Sequence, residues 1–279
     1  MELSGPEAEH PENPLLVDIL LRRGADTSAR DNHGRNALHA VFYAAQTTSS
    51  ILPRGQPGEG MDAFEQPLRS LLATDASLTE QVDNWGKTPL HYALAALRVQ
   101  FKNQDAGDRI IRLLLSAGAD PASIDSSTGD GALHFLVRSL NQNSACPGLF
   151  RSFLALGLDI NARNKTGETP LFGLLQGPRL GEEPVITDEQ VGRPGTDWPA
   201  PEDDAWRILE DAGADFRARD GEGRNMLHLA AKKDEWIEVY KKLVGLGLDP
   251  TELDHRQGTS LDVAAACMNE EVLGLVERE

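Results

Sequence analysis

Histidine is the residue type of this chain best suited to chemistry, because imidazole binds metal ions and transfers protons near neutral pH. Four of the seven histidines follow a leucine in a recurring Leu-His pair: His39, His91, His134 and His228. A metal site or a catalytic site would require several of them to meet at one point. Each pair instead belongs to its own copy of a repeated phrase, and packed helical layers lie roughly 10 Å apart. We therefore expect four structural histidines in separate layers.

Recurrent aspartates are the second group that could do chemistry, since paired carboxylates perform acid–base catalysis. Asp31, Asp83, Asp220 and Asp254 each open a short polar stretch that contains glycine. In such turns a short acceptor side chain satisfies backbone N–H groups. The sequence has no P-loop, nucleophile elbow, His-Glu-x-x-His zinc motif or Rossmann fingerprint. We expect no enzymatic activity, no catalytic residue, no metal and no cofactor.

Composition and charge narrow the possible partners. The 279 residues carry a formal net charge of −17, whereas binding to phosphates needs a positive surface, so nucleic acid is not an expected partner. No apolar run approaches the roughly 18 to 20 residues that span a bilayer, and the first residues are acidic and proline-rich. Cys146 and Cys267 lie far apart, which favours a reducing cytoplasmic or nuclear compartment.

Two phrases alternate along the chain. The first is the sequence DNWGKTPLHYA of residues 83–93, and versions of it begin at Asp31, Ser126, Asn164, Asp220 and Asp254. The second is Gly-Ala-Asp or Gly-Leu-Asp, which begins at Gly24, Gly118, Gly157, Gly213 and Gly247. The interval from the leucine of the first phrase to the glycine of the second varies, from 20 residues for Leu227 to Gly247 to 42 for Leu171 to Gly213.

This alternation resembles the ankyrin repeat, in which a turn and Thr-Pro-Leu-His open a first helix and a Gly-Ala-Asp turn ends a second. The resemblance implies an all-α repeat solenoid of helix-turn-helix units with β-hairpin-like turns. It also implies that each Leu-His histidine bonds to backbone near its own hairpin and to the neighbouring repeat. Partners of this family usually bind on the concave side, formed by hairpin tips and first helices.

The landmarks predict a disordered segment at 1–14 and an ankyrin-repeat domain at 15–279. The domain begins with a half repeat, which indicates a compact cap or a fragment of a longer array. The predicted units are the half repeat 15–30 and the repeats 31–82, 83–124, 125–163, 164–219, 220–253 and 254–279. Insertions at about 46–61 and 177–203 fall between first and second helices, where a longer surface loop costs little entropy. One turn is irregular, with Asp75 where other repeats have glycine.

Hairpin tips and first-helix flanks provide the candidate partner-binding residues. They are Arg35, Tyr43, Trp85, Lys87, Arg138, Lys165, Arg224 and Lys232. Trp85 is the most informative of them, because a tryptophan on an exposed turn is a typical hot-spot residue. The alternative is that Trp85 packs on an adjacent hairpin or on the first insertion.

Basic residues are concentrated on the same surface. Eleven lie on the tips, on the flanks and just before the hairpins: Arg30, Arg35, Lys87, Arg138, Arg163, Lys165, Arg219, Arg224, Lys232, Lys233 and Arg256. Eight carboxylates share these positions, so the surface carries about +3 while the rest of the chain is strongly negative. This predicts a partner with an acidic or mixed-charge surface. The alternative is that these cations pair with the hairpin aspartates and offer no net potential.

The sequence therefore predicts a non-enzymatic scaffold that binds a partner protein or peptide as a monomer. Neither nucleic acid nor membrane is an expected partner. Two alternatives stay open. The chain could be the regulatory or targeting module of a larger multidomain enzyme or receptor, or its inserted loops could bind the partner.

Overall fold

The computed structural model describes residues 16–47, 59–96, 104–140, 146–175 and 204–276. Within them lie twelve α-helices: α1 Leu16–Arg22, α2 Ala37–Thr47, α3 Glu59–Thr74, α4 Pro89–Ala96, α5 Gln104–Ser116, α6 Ala132–Leu140, α7 Cys146–Ala155, α8 Asp204–Asp211, α9 Met226–Ala230, α10 Ile237–Gly245, α11 Ser260–Ala266 and α12 Glu270–Val276. Three short 3₁₀ helices cover Ala76–Thr79, Pro170–Leu175 and Asp234–Trp236. The β structure of the described residues is one antiparallel bridge between Ile124 and Gly131.

The helices form two layers, as an all-α repeat solenoid requires. The first helices pack in sequence, from α2 to α4 to α6, then through the 3₁₀ helix Pro170–Leu175 to α9 and α11. The second helices form the other layer, in which α1 contacts α3, α3 contacts α5, α5 contacts α7 and α7 contacts α8. No helix in the described part of the chain is long and apolar enough to cross a membrane.

The leucine of the repeated phrase supplies the core between the layers. It is buried in five repeats, as Leu38, Leu90, Leu133, Leu171 and Leu227. One hydrophobic cluster runs through all of these positions, so each repeat buries apolar surface against its neighbours. Burying one such side chain is worth about 1.5 to 3 kcal/mol.

Local capping explains where the first helices begin. Asn225 caps α9, since its side-chain oxygen accepts hydrogen bonds from the N–H groups of Leu227 and His228. Thr259 caps α11 through a reciprocal pair, in which the Asp262 N–H donates to Thr259 Oγ1 and the Thr259 N–H donates to Asp262 Oδ2. These caps satisfy backbone donors that a helix start would otherwise leave unpaired.

In the turn after the second helix of the first repeat, the structure differs from the sequence-based prediction for Asp75. Asp26 Oδ1 accepts a hydrogen bond from the Ser28 N–H at 2.9 Å, and Asp75 Oδ1 accepts one from the Ser77 N–H at 3.0 Å. Asp75 is thus equivalent to the aspartate of the Gly-Ala-Asp phrase, and the prediction that it replaces the glycine is wrong. The three extra residues between Asp75 and Asp83, relative to Asp26 and Asp31, are accommodated by the 3₁₀ helix Ala76–Thr79.

Successive hairpin tips are joined by backbone hydrogen bonds. The Asn84 N–H donates to the His33 carbonyl at 2.9 Å, and the same link joins Lys165 to Thr128, Gly221 to Thr166 and His255 to Glu222. The hairpin opened by Asp125 is one residue longer, and there the Ser126 hydroxyl donates to the Trp85 carbonyl at 2.9 Å. The tips therefore form a continuous hydrogen-bonded row.

Two glycines test how tightly this row is packed. Gly167 and Gly213 both have φ +75, but a Cβ on Gly167 would lie 2.6 Å from the backbone nitrogen of Gly221, whereas a Cβ on Gly213 meets nothing within 4 Å. Alanine at either site incurs the left-handed backbone cost of about 1 to 2 kcal/mol. We expect Gly167→Ala to lower the free energy of unfolding by about 1 to 3 kcal/mol more than Gly213→Ala, because its neighbour is backbone.

Urea denaturation of the two alanine variants measures this difference. Gly213→Ala is the matched control, since it shares the φ angle and the predicted repeat but lacks the steric contact. Equal destabilisation of the two variants would show that adjacent hairpins are not in contact at Gly167.

Several predicted segments lie outside the described residues. These are the N-terminal segment 1–14, the insertion 177–203 and residues 48–58 of the first insertion. The described ends of the first insertion are helical, because α2 extends to Thr47 and α3 begins at Glu59. The boundaries of the individual repeats stay predictions.

Candidate functional site

The four Leu-His histidines link each repeat to the next. His91 Nδ1 accepts a hydrogen bond from the Thr88 N–H at 3.0 Å, and its Nε2 lies 3.2 Å from the Ser123 carbonyl of the following turn. The same two contacts occur at the other three positions, where Nε2 lies against the carbonyls of Lys87, Glu168 and Gly258. The prediction of separate structural histidines is therefore confirmed, and burial lowers the pKa of all four imidazoles.

Phe172 occupies the histidine position in one repeat and changes its contacts. The Thr88 hydroxyl lies 3.0 Å from His91 Nδ1, whereas the buried hydroxyl of Thr169, beside Phe172, has no hydrogen-bond partner. This repeat therefore lacks the imidazole link to the hairpin that follows it. No group of three or more His, Cys, Asp or Glu side chains within the described ranges could hold a metal ion.

The hairpin aspartates stabilise turns, as the sequence predicts. Asp83 Oδ1 accepts hydrogen bonds from the N–H groups of Trp85 and Lys87 at 2.9 and 2.8 Å. Equivalent pairs of bonds are made by Asp31, Asp220 and Asp254, and by Asn164 in its repeat. The backbone of each of these tips is therefore held by two hydrogen bonds to the side chain that opens it.

Arg35 and Tyr43 are packed together beside the first hairpin. Arg35 Nε lies 2.7 Å from Asp31 Oδ2, and its guanidinium carbon lies 3.9 Å from the centre of the Tyr43 ring. Tyr43 in turn contacts Tyr92 edge to face, at 6.4 Å between ring centres. The Tyr92 hydroxyl donates to Asp83 Oδ2 at 2.7 Å. Arg35 therefore presents a neutralised, mostly buried cation.

Two further predicted cations are also paired. Lys87 Nζ lies 3.7 Å from Asp125 Oδ2, on the next hairpin, and most of its side chain is buried. Arg224 lies 2.7 Å from Asp220 and 3.3 Å from Glu222. These contacts favour the alternative in which tip cations pair with hairpin carboxylates.

Arg138 requires a correction. The sequence placed it on an exposed flank, but its side chain is only 7% exposed and its Nη1 lies 2.7 Å from Asp130 Oδ2, itself 2% exposed. Asp130 also accepts a hydrogen bond from Asn164 Nδ2 at 2.8 Å. The helix turns Arg138 back onto its own hairpin, so it cannot present a charge to a partner.

Trp85, Lys165 and Lys232 reach solvent. Lys165 and Lys232 are exposed, and the Lys165 ammonium donates to the Ser126 carbonyl at 2.5 Å. Trp85 is half-buried, and its ring stacks on His33 of the preceding tip with 5.5 Å between centres and an interplanar angle of 20°. Trp85 therefore remains partly exposed while it is stacked on the neighbouring tip.

Comparison with known proteins agrees with this geometry. The family model for the ankyrin repeat matches residues 85–126. The NF-kappa-B inhibitor delta of Mus musculus is 29% identical over 179 residues, which are 59% of this chain and 49% of that protein. The family model, this relative and the stacked histidine links all support an ankyrin-repeat family for the chain.

Other relatives are much longer than the aligned region. The E3 ubiquitin-protein ligase KEG of Arabidopsis thaliana is 25% identical over 258 residues, which are 85% of this chain and 14% of that protein. The Neurogenic locus Notch protein of Drosophila melanogaster is 34% identical over 128 residues, which are 46% of this chain and 4% of that protein. This ankyrin chain thus spans about half or less of these relatives, and its repeats make it a protein–protein interaction module.

Three arginines form ankyrin-repeat contacts that the sequence analysis missed. Arg30, Arg163 and Arg219 directly precede hairpin openers, and each binds the carbonyl of its own turn glycine and a carbonyl of the next repeat. For example, Arg30 Nη1 donates a hydrogen bond to the carbonyl oxygen of Val82 at 2.7 Å. An arginine directly before the hairpin opener recurs in the sequence and could have indicated this role. The carbonyl groups that accept its hydrogen bonds can be identified only from the structure.

Proposed function

We propose that this chain is a non-enzymatic ankyrin module that binds a protein or peptide through its hairpin tips and first helices, with Trp85 as the anchor. One observation carries the proposal, namely the stack of Trp85 on His33 across two adjacent tips. A rigid aromatic ring held partly in solvent supplies a large contact area at low entropy cost. Lys165 and Lys232, which are exposed, lie on the same set of tips and flanks.

The internal pairing of Arg35, Lys87 and Arg224 bears on the chemistry of the partner. Because these cations already contact carboxylates, they present charge pairs and not isolated positive charges. A partner of mixed charge that places an apolar or aromatic group against Trp85 suits this surface better than a uniformly acidic one. The NF-kappa-B inhibitor delta relatives, whose name describes action on another protein, support a protein partner.

Replacing Trp85 tests the proposal. We expect Trp85→Ala to weaken partner binding by about 2 kcal/mol or more, which is roughly a 30-fold loss of affinity. Affinity capture with the wild type and the variant identifies the protein that the variant loses, and calorimetry with that protein gives the affinity. Met268→Ala, at a strongly exposed residue of the last repeat, is the control for loss of an exposed apolar side chain. Equal binding by the wild type and Trp85→Ala would contradict the proposal.

In a second candidate function, the chain uses the same binding surface as one module of a larger protein. The alignment with the KEG ligase covers 85% of this chain but 14% of that protein, so similar repeats occur as one segment of a much longer enzyme. In this candidate the repeats select a partner or substrate for a larger multidomain protein. Sequencing the complete reading frame around the gene tests it. The further alternative of binding through the insertions concerns residues outside the described part of the chain.

We also propose that the chain is a monomer in the cytoplasm or nucleus. Cys267 is a free and exposed thiol, which suits a reducing compartment. Light scattering during size-exclusion chromatography tests the oligomeric state, and a mass of two chains would contradict it.

A further inference from the structure

A second row of residues runs beside the hairpin tips. Each of its members directly precedes a hairpin opener: Arg30, Val82, Ile124, Arg163, Arg219 and Leu253. We name these six residues the edge row. Val82 is 43% exposed and Ile124 is 63% exposed, although both are branched apolar residues in ordered backbone. They lie on consecutive repeats, so the edge row contains two neighbouring apolar positions open to solvent.

These apolar positions adjoin the Trp85 tip. Val82 lies three residues before Trp85, and its carbonyl accepts the hydrogen bond from Arg30. Ile124 lies two residues before Ser126, whose hydroxyl donates to the Trp85 carbonyl. Exposed branched side chains beside a partly exposed aromatic ring are typical of an interaction surface.

The two apolar positions are flanked by two arginines that form no ion pair with a carboxylate in the described part of the chain. Arg30 and Arg163 are exposed, and their guanidinium groups donate to the oxygens of carbonyl and amide groups. Neither makes an ion pair with any described residue. Arg219, by contrast, lies 2.6 Å from Glu252. The first four residues of the edge row are therefore, in order, a cation, two apolar residues and a second cation.

The spacing of the row selects the conformation of a matching peptide. Neighbouring helical layers lie roughly 10 Å apart, so each edge position is about that far from the next. A polyproline II helix has three residues per turn and rises about 3.1 Å per residue, so every third side chain lies on one face at about 9.3 Å intervals. An extended β-strand repeats its face every second residue and does not match this interval.

We propose that the edge row binds a peptide segment in the polyproline II conformation, with acidic residues at positions i and i+9 and branched apolar residues at i+3 and i+6. The apolar pair covers Val82 and Ile124, and the acidic ends pair with Arg30 and Arg163. This inference rests on the proposed function, and it adds the chemical pattern and register of the partner. The apolar pair supplies most of the affinity, while the charged ends set the register.

The probe is a fluorescent peptide, EPPLPPLPPE, and its control is PPELLEPPPP, which has the same composition without the spacing. The full chain is expected to bind the probe at least about tenfold more tightly than the control peptide. Changing both terminal glutamates of the probe to glutamine is expected to weaken binding about threefold. Fluorescence anisotropy measures all three affinities, and equal binding of probe and control overturns the proposal.

Variants of the protein locate the site. Val82→Ser/Ile124→Ser is expected to weaken probe binding at least about tenfold, because the apolar contact is lost. Leu156→Ser/Leu246→Ser, which removes two exposed leucines away from the edge row, is the matched control and is expected to leave binding unchanged. Arg30→Gln/Arg163→Gln is expected to abolish the preference for glutamate over glutamine ends. If that variant fails to fold, the glutamine-ended probe on the wild type still tests whether the charged ends of the peptide contribute to binding.

Selection from a random peptide library separates this inference from the proposed function. Peptides that depend on Trp85 but bind the Val82→Ser/Ile124→Ser variant normally would overturn the inference and leave the proposed function standing. Peptides that depend on none of these side chains would overturn both. Selected peptides with apolar residues three apart that require Val82 and Ile124 would support both.

Discussion

Asp130→Ala is expected to lower the free energy of unfolding by about 3 to 5 kcal/mol, the range observed when one partner of a buried ion pair is removed. Arg138 would then be left charged in the interior, where its Nε already lacks a hydrogen-bond partner. Burial by itself raises the pKa of Asp130, but the charge and hydrogen bonds of Arg138, together with Asn164, hold that pKa below its ordinary value. The carboxylate is therefore charged at neutral pH.

A double-mutant cycle measures this coupling by urea denaturation. Asp130→Ala/Arg138→Met is expected to cost clearly less than the sum of the two single substitutions, because it leaves no unpaired buried charge. Arg112→Ala is the control, since Arg112 and Asp108 form an exposed pair at 2.6 Å that is expected to contribute about 0 to 1 kcal/mol. Additive single costs, or costs below 1 kcal/mol, would contradict the buried-pair assignment.

The parts of the fold that the sequence predicts well are those decided within a few residues. Asp83 accepts hydrogen bonds from backbone two and four residues away, so its role follows from the spacing of the turn. Leu90 is buried because the first helix begins just before it, and His91 contacts the N–H of Thr88 within the same turn. The buried leucine recurs in five repeats and the histidine contact in four, which is why one motif predicts most of the solenoid.

The candidate surface was predicted less well because exposure depends on the register of neighbouring elements. Whether Arg138 faces solvent or its own hairpin depends on how helix α6 is oriented over Asp130, eight residues earlier, and no local pattern specifies that orientation. Arg30 illustrates the same point between repeats, since its acceptor on Val82 lies 52 residues away. Counting charges on the hairpin tips and first-helix flanks therefore could not separate the cations that pair with carboxylates from those that do not.

The chain is also expected to lose stability as the pH falls through about 6.5, the ordinary pKa of histidine. Burial lowers the pKa of the four Leu-His imidazoles in the folded state, although hydrogen bonds to carbonyls and nearby aspartates oppose the shift. Below about 6.5 the unfolded chain binds protons that the folded chain does not, so lowering the pH favours unfolding. The stability that these histidines provide is complete above that pH and is lost as the pH falls towards their folded pKa values.

The size of the effect follows from the number of protons involved. Each histidine contributes up to about 1.4 kcal/mol for every pH unit between its two pKa values, so four contribute up to about 5 kcal/mol per unit. Asp130 does not add to the pH dependence between pH 7.5 and 5.5. A carboxyl whose pKa is lowered on folding loses its contribution to stability only below about pH 4. Urea denaturation at pH 7.5, 6.5 and 5.5 measures the slope.

Substitution of one Leu-His histidine shows whether the pH dependence of the free energy of unfolding arises from the histidines that link the repeats. His134→Gln removes one of the four titrating groups, so the slope is expected to decrease by up to about 1.4 kcal/mol per pH unit. NMR titration of the remaining imidazoles in the folded chain provides an independent check, since their midpoints should lie below those of the urea-unfolded chain. A free energy of unfolding that stays constant from pH 7.5 to 5.5 would mean that the imidazoles protonate without breaking their links. In that case the hydrogen bond that Nδ1 accepts from a backbone N–H, which only the neutral imidazole can accept, could not be what stabilises the stacked repeats.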